Sequence, residues 1–250
     1  MKKKNRNNWF AEWFDSKYYH LLYDHRDFSE AESFIQRLFT YLKLNPKNTK
    51  VLDLACGKGR HALQVHQLGY AVTGIDLSTE SIAHAKQFEE AGLTFQVGDM
   101  RSLGYREEVD LVLNLFTSFG YFKKEGENQK AIQSMARALK PNGILVLDYL
   151  NVKPVEERLP TEEKIKKGGV EFLIDKYIES GFIVKDIAFE DKGVQSLHSE
   201  FVKLIGLADF KAYTEEAGLE IKQVFGDYHL NPFQEGSSDR LILIAQKHAK

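Results

Sequence analysis

The sequence predicts an α/β fold: a doubly wound, mostly parallel seven-stranded sheet with a small antiparallel β insertion after strand five. Three observations support this prediction. Short apolar segments alternate with helical segments between residues 51 and 150, and they are apolar throughout, as strands are when helices cover both faces of a parallel sheet. A glycine-rich turn joins the first strand to its helix. Beyond residue 152, consecutive strands follow one another without helices between them.

Each element of the parallel part has its own signal. Apolar residues recur at three- and four-residue spacing over 31–42, which predicts an amphipathic helix, and Pro46 marks a linker over 41–50. Strands are predicted at 51–54, 71–76, 94–99, 110–116 and 144–150. Helices are predicted at 61–68, at 78–90 with Ser78 as the N-cap, and at 129–139, followed by a turn at 140–143.

The remaining elements form the insertion and the end of the main sheet. Insertion strands are predicted at 170–178, 182–190 and 196–205, then a helix at 209–217 and two last strands at 220–228 and 241–246. Phe172 and Ile174 alternate with Glu171 and Asp175, so the insertion has one apolar face, which could roof a ligand pocket or form a dimer interface. The predicted units are an N-terminal helical lid (1–45), a main domain (46–151 and 207–250) and the insertion (152–206).

The composition excludes several classes of protein. The 34 Lys and Arg residues nearly balance the 36 Asp and Glu residues, and the formal charge of −2 argues against a chain that coats nucleic acid. The single cysteine, Cys56, excludes an internal disulfide and a multi-cysteine zinc site, and we expect no metal. Lysine runs at 2–4 and 164–167 are expected to be solvated surface. We expect a cytoplasmic protein without a membrane span, because no apolar run is long enough and MKKKNRNNWF lacks a following signal-peptide core.

The glycine turn is the first candidate for chemistry. Gly57, Gly59 and Ala62 match the G-x-G-x-x-G/A pattern of dinucleotide sites, and Asp76 ends the next strand. Several nucleotide-binding families share this pattern. Asp53 is informative because a carboxylate here would repel a pyrophosphate drawn to the helix N-terminus. S-adenosylmethionine has no phosphate and carries an ammonium and a sulfonium, so the same carboxylate attracts it, while Asp76 offers two acceptors for ribose hydroxyls.

A third acid, Asp99, follows the third strand within Gly98-Asp99-Met100. Its carboxylate can accept a hydrogen bond from the adenine amine, while Met100 offers a backbone N–H and an apolar contact. Each acid taken singly is equally explained as a helix cap or a turn residue. Three acids at the ends of three consecutive strands together favour S-adenosylmethionine as the cofactor.

Three segments, VLDLACGKGRHAL, GIDLS and QVGDMRSL, resemble the consecutive motifs of class I S-adenosylmethionine-dependent methyltransferases, which have a Rossmann-like sheet and release S-adenosylhomocysteine. The resemblance implies that the segment from Asp53 to Gly59 holds the methionine portion, Asp76 the ribose, and Asp99 with Met100 the adenine. The expected cofactor-binding residues are Tyr23, Asp53, Ala55, Gly57, Gly59, Asp76, Leu77, Asp99, Met100 and Asn114. Arg60 departs from the family pattern, since many members have a third glycine there.

Further segments extend the resemblance to one branch, the small-molecule N-methyltransferases similar to the amino-sugar dimethyltransferases of macrolide biosynthesis. These segments are Y-x-x-L-Y at 19–23, LFTSFGY at 115–121, the β insertion, and ADFKAYTEEAGL at 208–219. The resemblance implies a small-molecule acceptor that is methylated on nitrogen. By residue type alone, a small amine, an amino sugar and a phenol fit equally.

The acceptor pocket is expected beyond the carboxyl ends of strands four and five. Phe119, Tyr121 and Asn151 are predicted to bind the substrate, and Tyr19, His20 and Asp148 are predicted catalytic residues. An amine must be neutral to attack, so a nearby base would help. The aromatic segment at 9–28 predicts a lid over the cofactor and acceptor or, alternatively, an amphipathic helix docked on the core.

Other functions remain open at this point. An RNA or protein methyltransferase would need a basic stripe or a docking domain, and the balanced charge shows neither. A nicotinamide-dependent oxidoreductase is favoured by the glycine spacing alone. Arg240 is expected to pair with an acid such as Asp227, or else to bind an anionic substrate. The insertion also suggests a homodimer.

Overall fold

The computed structural model describes residues 9–23, 28–124 and 126–249. The strands are β1 (Lys50–Leu54), β2 (Ala71–Asp76), β3 (Leu93–Val97), β4 (Val109–Asn114), β5 (Leu139–Leu150), β6 (Thr161–Lys167), β7 (Val170–Glu179), β8 (Phe182–Asp191), β9 (Val194–Lys203), β10 (Leu219–Phe225) and β11 (Arg240–Lys247). The helices are α1 (Trp9–Phe14), α2 (Lys17–Leu22), α3 (Phe28–Leu42), α4 (Arg60–Gln67), α5 (Thr79–Ala85), α6 (Glu127–Ala138), α7 (Val152–Arg158) and α8 (Leu207–Glu216). The lysine run at 2–4 and parts of the predicted lid lie outside the described residues.

The main sheet has seven strands in the order β10-β11-β5-β4-β1-β2-β3. Strands β1 to β5 pair in parallel, whereas β11 is antiparallel to both of its neighbours, β5 and β10. The predicted doubly wound α/β fold is therefore confirmed. The strand order reverses between β1 and β4, and the crevice at the carboxyl ends of such strands is where open α/β sheets bind ligands.

The central strands are buried on both faces. Val51 of β1 packs in the core on one face and Leu52 in the core on the other, and Leu111 and Val112 of β4 divide in the same way. Successive strand side chains point to opposite faces, so a doubly covered strand is apolar at nearly every position. Asp53 interrupts this pattern near the end of β1, although its side chain is only 1% exposed.

A close contact explains the glycine within β2. A Cβ atom at Gly74 would lie 2.5 Å from the ring of Phe95, and one at Gly59 would lie 2.7 Å from the same ring. The Phe95 ring of β3 therefore fills the space that the two glycines leave. This contact packs the glycine turn against the neighbouring strands.

β5 begins earlier than the sequence predicts. The expected turn at 140–143 lies inside the strand, where the pairing of β5 skips from Leu139 to Ile144 while β4 advances by two residues. The turn residues thus form a bulge, which bends a strand without ending it. The prediction of a turn followed by a separate strand was wrong because the ladder resumes on the same partner.

The insertion is an antiparallel sheet of four strands in the order β6-β7-β8-β9, one more than predicted. The additional strand, β6, contains the lysine run at 164–167. Lys164 and Lys166 are exposed, and lysines on an edge strand discourage pairing with another chain. The opposite edge, β9, packs against helix α1.

None of the helices within these three described ranges combines the length and the apolar character needed to cross a bilayer.

Candidate functional site

The turn between β1 and α4 adopts backbone angles that favour glycine. Gly57 has a φ of 56° and Gly59 a φ of 84°, and Ala55 also lies in the left-handed region at 55°. A Cβ atom at Gly57 would meet no atom within 4 Å, so the space beside it is open. The Gly57 N–H donates to Oδ2 of Asp76 over 2.8 Å, which ties the turn to the end of β2.

A cavity of about 360 Å³ lies at this turn, within the size range of small-molecule sites. Four predicted residues from the strand ends and the turn line it: Asp53, Ala55, Gly57 and Asp76. Four predicted residues from the N-terminal helices and the loop after β4 line it as well: Tyr19, His20, Tyr23 and Tyr121. The structure therefore brings eight of the predicted site residues together.

Asp53 has the most perturbed carboxyl group of the site. Its burial, followed by the charge of Asp76, raises its pKa to about 7, although a hydrogen bond from the Ala62 backbone and the charge of Arg60 favour the ionised form. Its Oδ2 atom is buried and has no hydrogen-bond partner among the described residues. An unsatisfied buried acceptor is costly unless a ligand satisfies it. The ammonium of S-adenosylmethionine fits this atom, and the open space at Gly57 fits its approach.

Asp76 is held in place by backbone donors. Besides the Gly57 N–H, its carboxylate accepts a hydrogen bond from the Ser78 N–H over 2.8 Å. Burial raises the pKa of Asp76, and these backbone hydrogen bonds act in the opposite direction. The orientation of this carboxylate is thus fixed before any ribose binds.

Asp15 links the N-terminal helices to the same region. Its carboxylate accepts hydrogen bonds from the Ser78 hydroxyl over 2.7 Å and from the Glu80 N–H over 2.9 Å at the start of α5. The hydrogen bond from the Glu80 N–H, followed by that from Ser78, lowers the pKa of Asp15. One carboxylate therefore fastens the segment between α1 and α2 beside Asp76.

Helices α1 and α2 act both as a wall of the cavity and as packing elements. Trp13 stacks on His198 with 4.4 Å between ring centroids, and its Nε1 donates to Glu200 over 2.6 Å. The Tyr23 hydroxyl donates to the same carboxylate over 2.9 Å and accepts a hydrogen bond from Lys185. The predicted lid residue Tyr23 is thus anchored to the insertion, while Trp13 packs against the insertion.

The predicted adenine-binding residues do not line the cavity. Asp99 instead accepts hydrogen bonds from the Arg101 side chain at 2.6 to 3.0 Å. Burial alone would raise the pKa of Asp99, but these hydrogen bonds hold it below its ordinary value. Met100 packs at the edge of the core. Two other predicted cofactor-binding residues also lie outside the cavity lining: Leu77, which is 37% exposed, and Gly59, which packs beside the Phe95 ring. Asp99 is thus paired with Arg101, and its contact with the adenine stays a prediction.

Three further predicted residues, Asn114, Phe119 and Asn151, do not line the cavity. Asn114 donates from Nδ2 to the carbonyl oxygens of Leu54 and Ser118, joining the ends of β1 and β4. Phe119 is fully buried. Asn151 donates to two carbonyl oxygens of the loop before β11, at 2.7 and 2.8 Å. They shape the loops around the cavity without lining it.

Asp148, a predicted catalytic residue, is fully buried and does not line the cavity. Its Oδ1 accepts from Nε of Arg240 over 2.8 Å, and its Oδ2 accepts from the Phe116 N–H over 2.8 Å and from the Tyr228 hydroxyl over 3.1 Å. Burial raises the pKa of Asp148, and Arg240 opposes that change. The expected ion pair of Arg240 exists, but with Asp148 rather than with Asp227. Asp148 therefore holds the loop after β4 in place, and its catalytic role stays a prediction.

Sequence reasoning did not name four residues of the cavity wall as site residues: Arg60, His61, His84 and Phe116. Lys58 and Arg60 stand inside the glycine turn, so their proximity to a ligand was visible in the motif. Phe116 was not recognisable, because its position depends on the backbone of the loop after β4. Cys56 also lines the cavity; burial raises the pKa of its thiol well above the ordinary value, which disfavours a nucleophilic thiolate.

A comparison with known families identifies the family of the chain. The family described as "Methyltransferase domain" matches residues 45–200. The chain belongs to this methyltransferase family. The expected family and the expected cofactor, S-adenosylmethionine, are thereby confirmed, and the nicotinamide alternative is set aside.

Two curated relatives and one solved structure illustrate the similarity. The methyltransferase is 31% identical over 195 residues to a ubiquinone biosynthesis O-methyltransferase of Haemophilus ducreyi, covering 74% of this chain and 71% of the relative. It is 33% identical over 104 residues to the dTDP-3-amino-3,4,6-trideoxy-alpha-D-glucopyranose N,N-dimethyltransferase of Streptomyces venezuelae, covering 41% and 43%. An S-adenosylmethionine-dependent methyltransferase of Clostridium acetobutylicum has a similar fold, with a TM-score of 0.76, 19% identity, and coverage of 96% and 98%.

The Streptomyces relative supports the resemblance to the amino-sugar branch. The methyltransferase spans slightly less than half the length of the first curated relatives that it matches. These partial matches do not identify the acceptor of the methyl group.

Proposed function

We propose that this methyltransferase transfers the methyl group of S-adenosylmethionine to the nitrogen of a small-molecule amine. The observation that carries the proposal is the position of His20. It lines the same cavity as Asp53 and Asp76, and its Nε2 atom is buried without a hydrogen-bond partner among the described residues. A basic nitrogen without a hydrogen-bond partner, on a residue that lines the ligand cavity, can take the proton that a methyl acceptor must lose.

The electrostatics of His20 suit the role of a base. Burial, followed by the charge of Lys58, lowers its pKa from the ordinary value, while Glu80 and Asp15 act in the opposite direction and His84 adds to the lowering. The imidazole is therefore neutral at neutral pH. A neutral imidazole can accept the proton that the amine gives up.

Bound S-adenosylmethionine supplies a methyl group on a positively charged sulfur. The nitrogen–carbon bond forms as the carbon–sulfur bond breaks, the bonding electron pair stays on sulfur, and the amine proton passes to His20. Asp53 and Asp76 hold the donor, and Tyr19, Tyr23 and Tyr121 line the cavity with rings that exclude water. In this scheme the protein contributes position, desolvation and one proton acceptor.

The choice of nitrogen is supported by the Streptomyces relative, whose name states N,N-dimethylation of an amino sugar. The Haemophilus relative is an O-methyltransferase, so a phenol is the second acceptor class to test. Formation of S-adenosylhomocysteine is to be measured with a panel of small amines, amino sugars, catechols and a structured RNA. Turnover with amines alone is the expected result, and turnover restricted to catechols or to RNA would overturn the proposal.

The role of His20 has its own test. His20→Gln keeps a polar side chain of similar reach but removes the base, so kcat should fall by about two orders of magnitude while the affinity for S-adenosylhomocysteine stays unchanged. In the unaltered protein saturated with S-adenosylmethionine, kcat/KM for the acceptor should rise with pH as the imidazole loses its proton, at a pH below that of a free histidine. A variant that keeps both the rate and this acid limb would show that His20 is not the base.

The predicted homodimer and the predicted cytoplasmic location stay predictions. In the insertion, Leu173 of β7 and Leu197 of β9 flank Ala188 on one sheet face, and the two leucines are 42% and 50% exposed. Sedimentation velocity of the full chain and of a Leu173→Asp/Leu197→Asp variant tests the dimer. A wild-type chain that sediments as a monomer would contradict it.

A further inference from the structure

The departure from the glycine pattern at Arg60 has a structural explanation in the loop after β4. Arg60 is the first residue of α4, and its side chain lines the cavity beside Asp53 and Gly57. Its guanidinium carbon lies 4.7 Å from the centroid of the Phe116 ring, a cation–π distance. The ring therefore acts as a platform that limits where the guanidinium can point.

The platform is itself fixed by strained backbone and by a buried acid. Phe116 and Thr117 adopt φ values of 56° and 59°, which are unusual for two successive residues other than glycine. Such strain persists only when the surroundings hold it, and Asp148 does so by accepting the Phe116 N–H. The Thr117 N–H donates to the Asp148 carbonyl oxygen over 3.0 Å, and Arg240 donates to the Thr117 hydroxyl over 2.9 Å.

A second ring stacks on the platform. Tyr228 stacks on Phe116 with 4.9 Å between centroids and 21° between planes, and its hydroxyl donates to Asp148. The guanidinium of Arg240 lies 5.4 Å from the Tyr228 ring. The four side chains thus form a column in the order Arg60, Phe116, Tyr228, Arg240, of which the first borders the cavity.

We propose that Arg60 binds the carboxylate of the methionine portion of the cofactor, with Phe116 as its platform and Asp148 as the positioning residue. That portion carries both an ammonium and a carboxylate, so its site needs an anionic and a cationic side chain next to each other. Asp53 and Arg60 flank the glycine turn and both line the cavity, and Asp53 is the acid that suits the ammonium. A stacked guanidinium presents two parallel donors to a carboxylate, which the exposed Lys58 cannot do.

This inference rests on the cofactor assignment, and a pair of ligands separates the two. S-adenosylmethionine and its decarboxylated form, S-adenosylmethioninamine, differ only in the carboxylate. Calorimetric titration of Arg60→Gln should show an affinity for S-adenosylmethionine about ten- to a hundredfold weaker than that of the unaltered protein. The affinity for the decarboxylated form should fall much less, because the lost contact is absent from that ligand and only the reduced ionisation of Asp53 remains.

Matched variants identify the source of any loss. Lys58→Gln removes a charge from the same turn and should weaken both ligands slightly and equally. Phe116→Leu keeps an apolar side chain but removes the platform, so it should show a smaller loss that is again specific to the carboxylate. A platform that served only folding would weaken both ligands by the same factor. Thermal unfolding followed by circular dichroism confirms that each variant is folded.

Three results would overturn the inference. Equal losses of affinity for both ligands in Arg60→Gln would show that the arginine does not bind the carboxylate. A carboxylate-specific loss in Lys58→Gln, without one in Arg60→Gln, would move the contact to the lysine. Unchanged affinities together with a raised KM for the acceptor would place Arg60 in the acceptor site. If the unaltered protein binds neither ligand, the cofactor assignment fails instead.

Discussion

Cofactor affinity should depend on pH chiefly through the carboxyl group of Asp53. Its pKa of about 7 arises from burial and from the nearby charge of Asp76. The ionised form attracts the ammonium of the cofactor, whereas the protonated form does not. When the pH is below the pKa, binding must first remove a proton, so the affinity should rise with pH and level off above the pKa.

The size of the effect follows from the ionised fraction. Near pH 6 about one Asp53 carboxyl in ten is ionised, so the apparent affinity should be about tenfold weaker than near pH 8, a difference of about 1.4 kcal/mol. Near pH 7 about half of the molecules hold the proton, so binding should release about half a proton per ligand.

Isothermal titration with S-adenosylhomocysteine near pH 6, 7 and 8 measures the affinity. Repeating the titrations in two buffers of different ionisation enthalpy measures the protons released. Asp53→Asn is the control, because its weaker binding should not vary with pH between 6 and 8. Equal affinities near pH 6 and pH 8 without proton release would show that the carboxyl is already ionised in the ligand-free site.

The same substitution has a consequence for folding, with a definite sign. Between about pH 4 and pH 7 the folded protein retains a proton on Asp53 that the unfolded chain has lost, so the free energy of unfolding falls as the pH rises through that window. Asp53→Asn removes this penalty, which amounts to at most about 4 kcal/mol. The ligand-free variant should therefore melt at a higher temperature near pH 8, even though it binds the cofactor less well.

Two further substitutions, each with a matched control, test the packing around the site. Asp148→Asn removes the buried carboxylate that balances the partly buried Arg240 guanidinium and should lower the free energy of unfolding by about 3 kcal/mol, whereas Arg158→Ala breaks an exposed ion pair and should change it by about 0.5 kcal/mol or less. Equal values for the two variants in urea titrations would contradict this. Gly74→Ala places a Cβ atom 2.5 Å from the Phe95 ring and should cost about 1–3 kcal/mol, whereas Gly104→Ala meets no atom within 4 Å and should be nearly neutral. A stable Gly74→Ala variant with an unchanged melting temperature would show that the ring moves aside freely.

The strand–turn–helix unit that carries Asp53 was predictable because its signals are local. Three of the last four residues of β1 are apolar, and all four are buried. The glycines that follow take backbone angles that other residues avoid. Asp53 and Asp76 could be placed at the cavity for the same reason, since the carboxyl ends of neighbouring parallel strands meet at one edge.

The partners of charged residues were not predictable in this way. Asp148 and Arg240 are 92 positions apart, and only the antiparallel pairing of β11 with β5 brings them together. Asp99 has its partner two residues away in Arg101, so that competing interaction was visible in the sequence. A carboxylate next to an arginine is already satisfied, and it is a weaker candidate for a ligand contact than an isolated one.

The turn residues at 140–143 illustrate a different limit. Proline, asparagine and glycine there favour a reversal of the chain locally, but the pairing with β4 continues on both sides of them. Local preference determines that the backbone must bend, and tertiary pairing determines that the bend becomes a bulge.

The parts of the cavity wall differ in how freely they can change. Phe14, Tyr19, His20 and Tyr23 all come from one stretch of ten residues near the start of the chain, whereas Asp53 comes from the central sheet. Mutations in that stretch can alter the shape and polarity offered to the acceptor without disturbing the strands that hold the donor. Proteins that descend from one ancestral chain can therefore all use S-adenosylmethionine and still methylate different compounds.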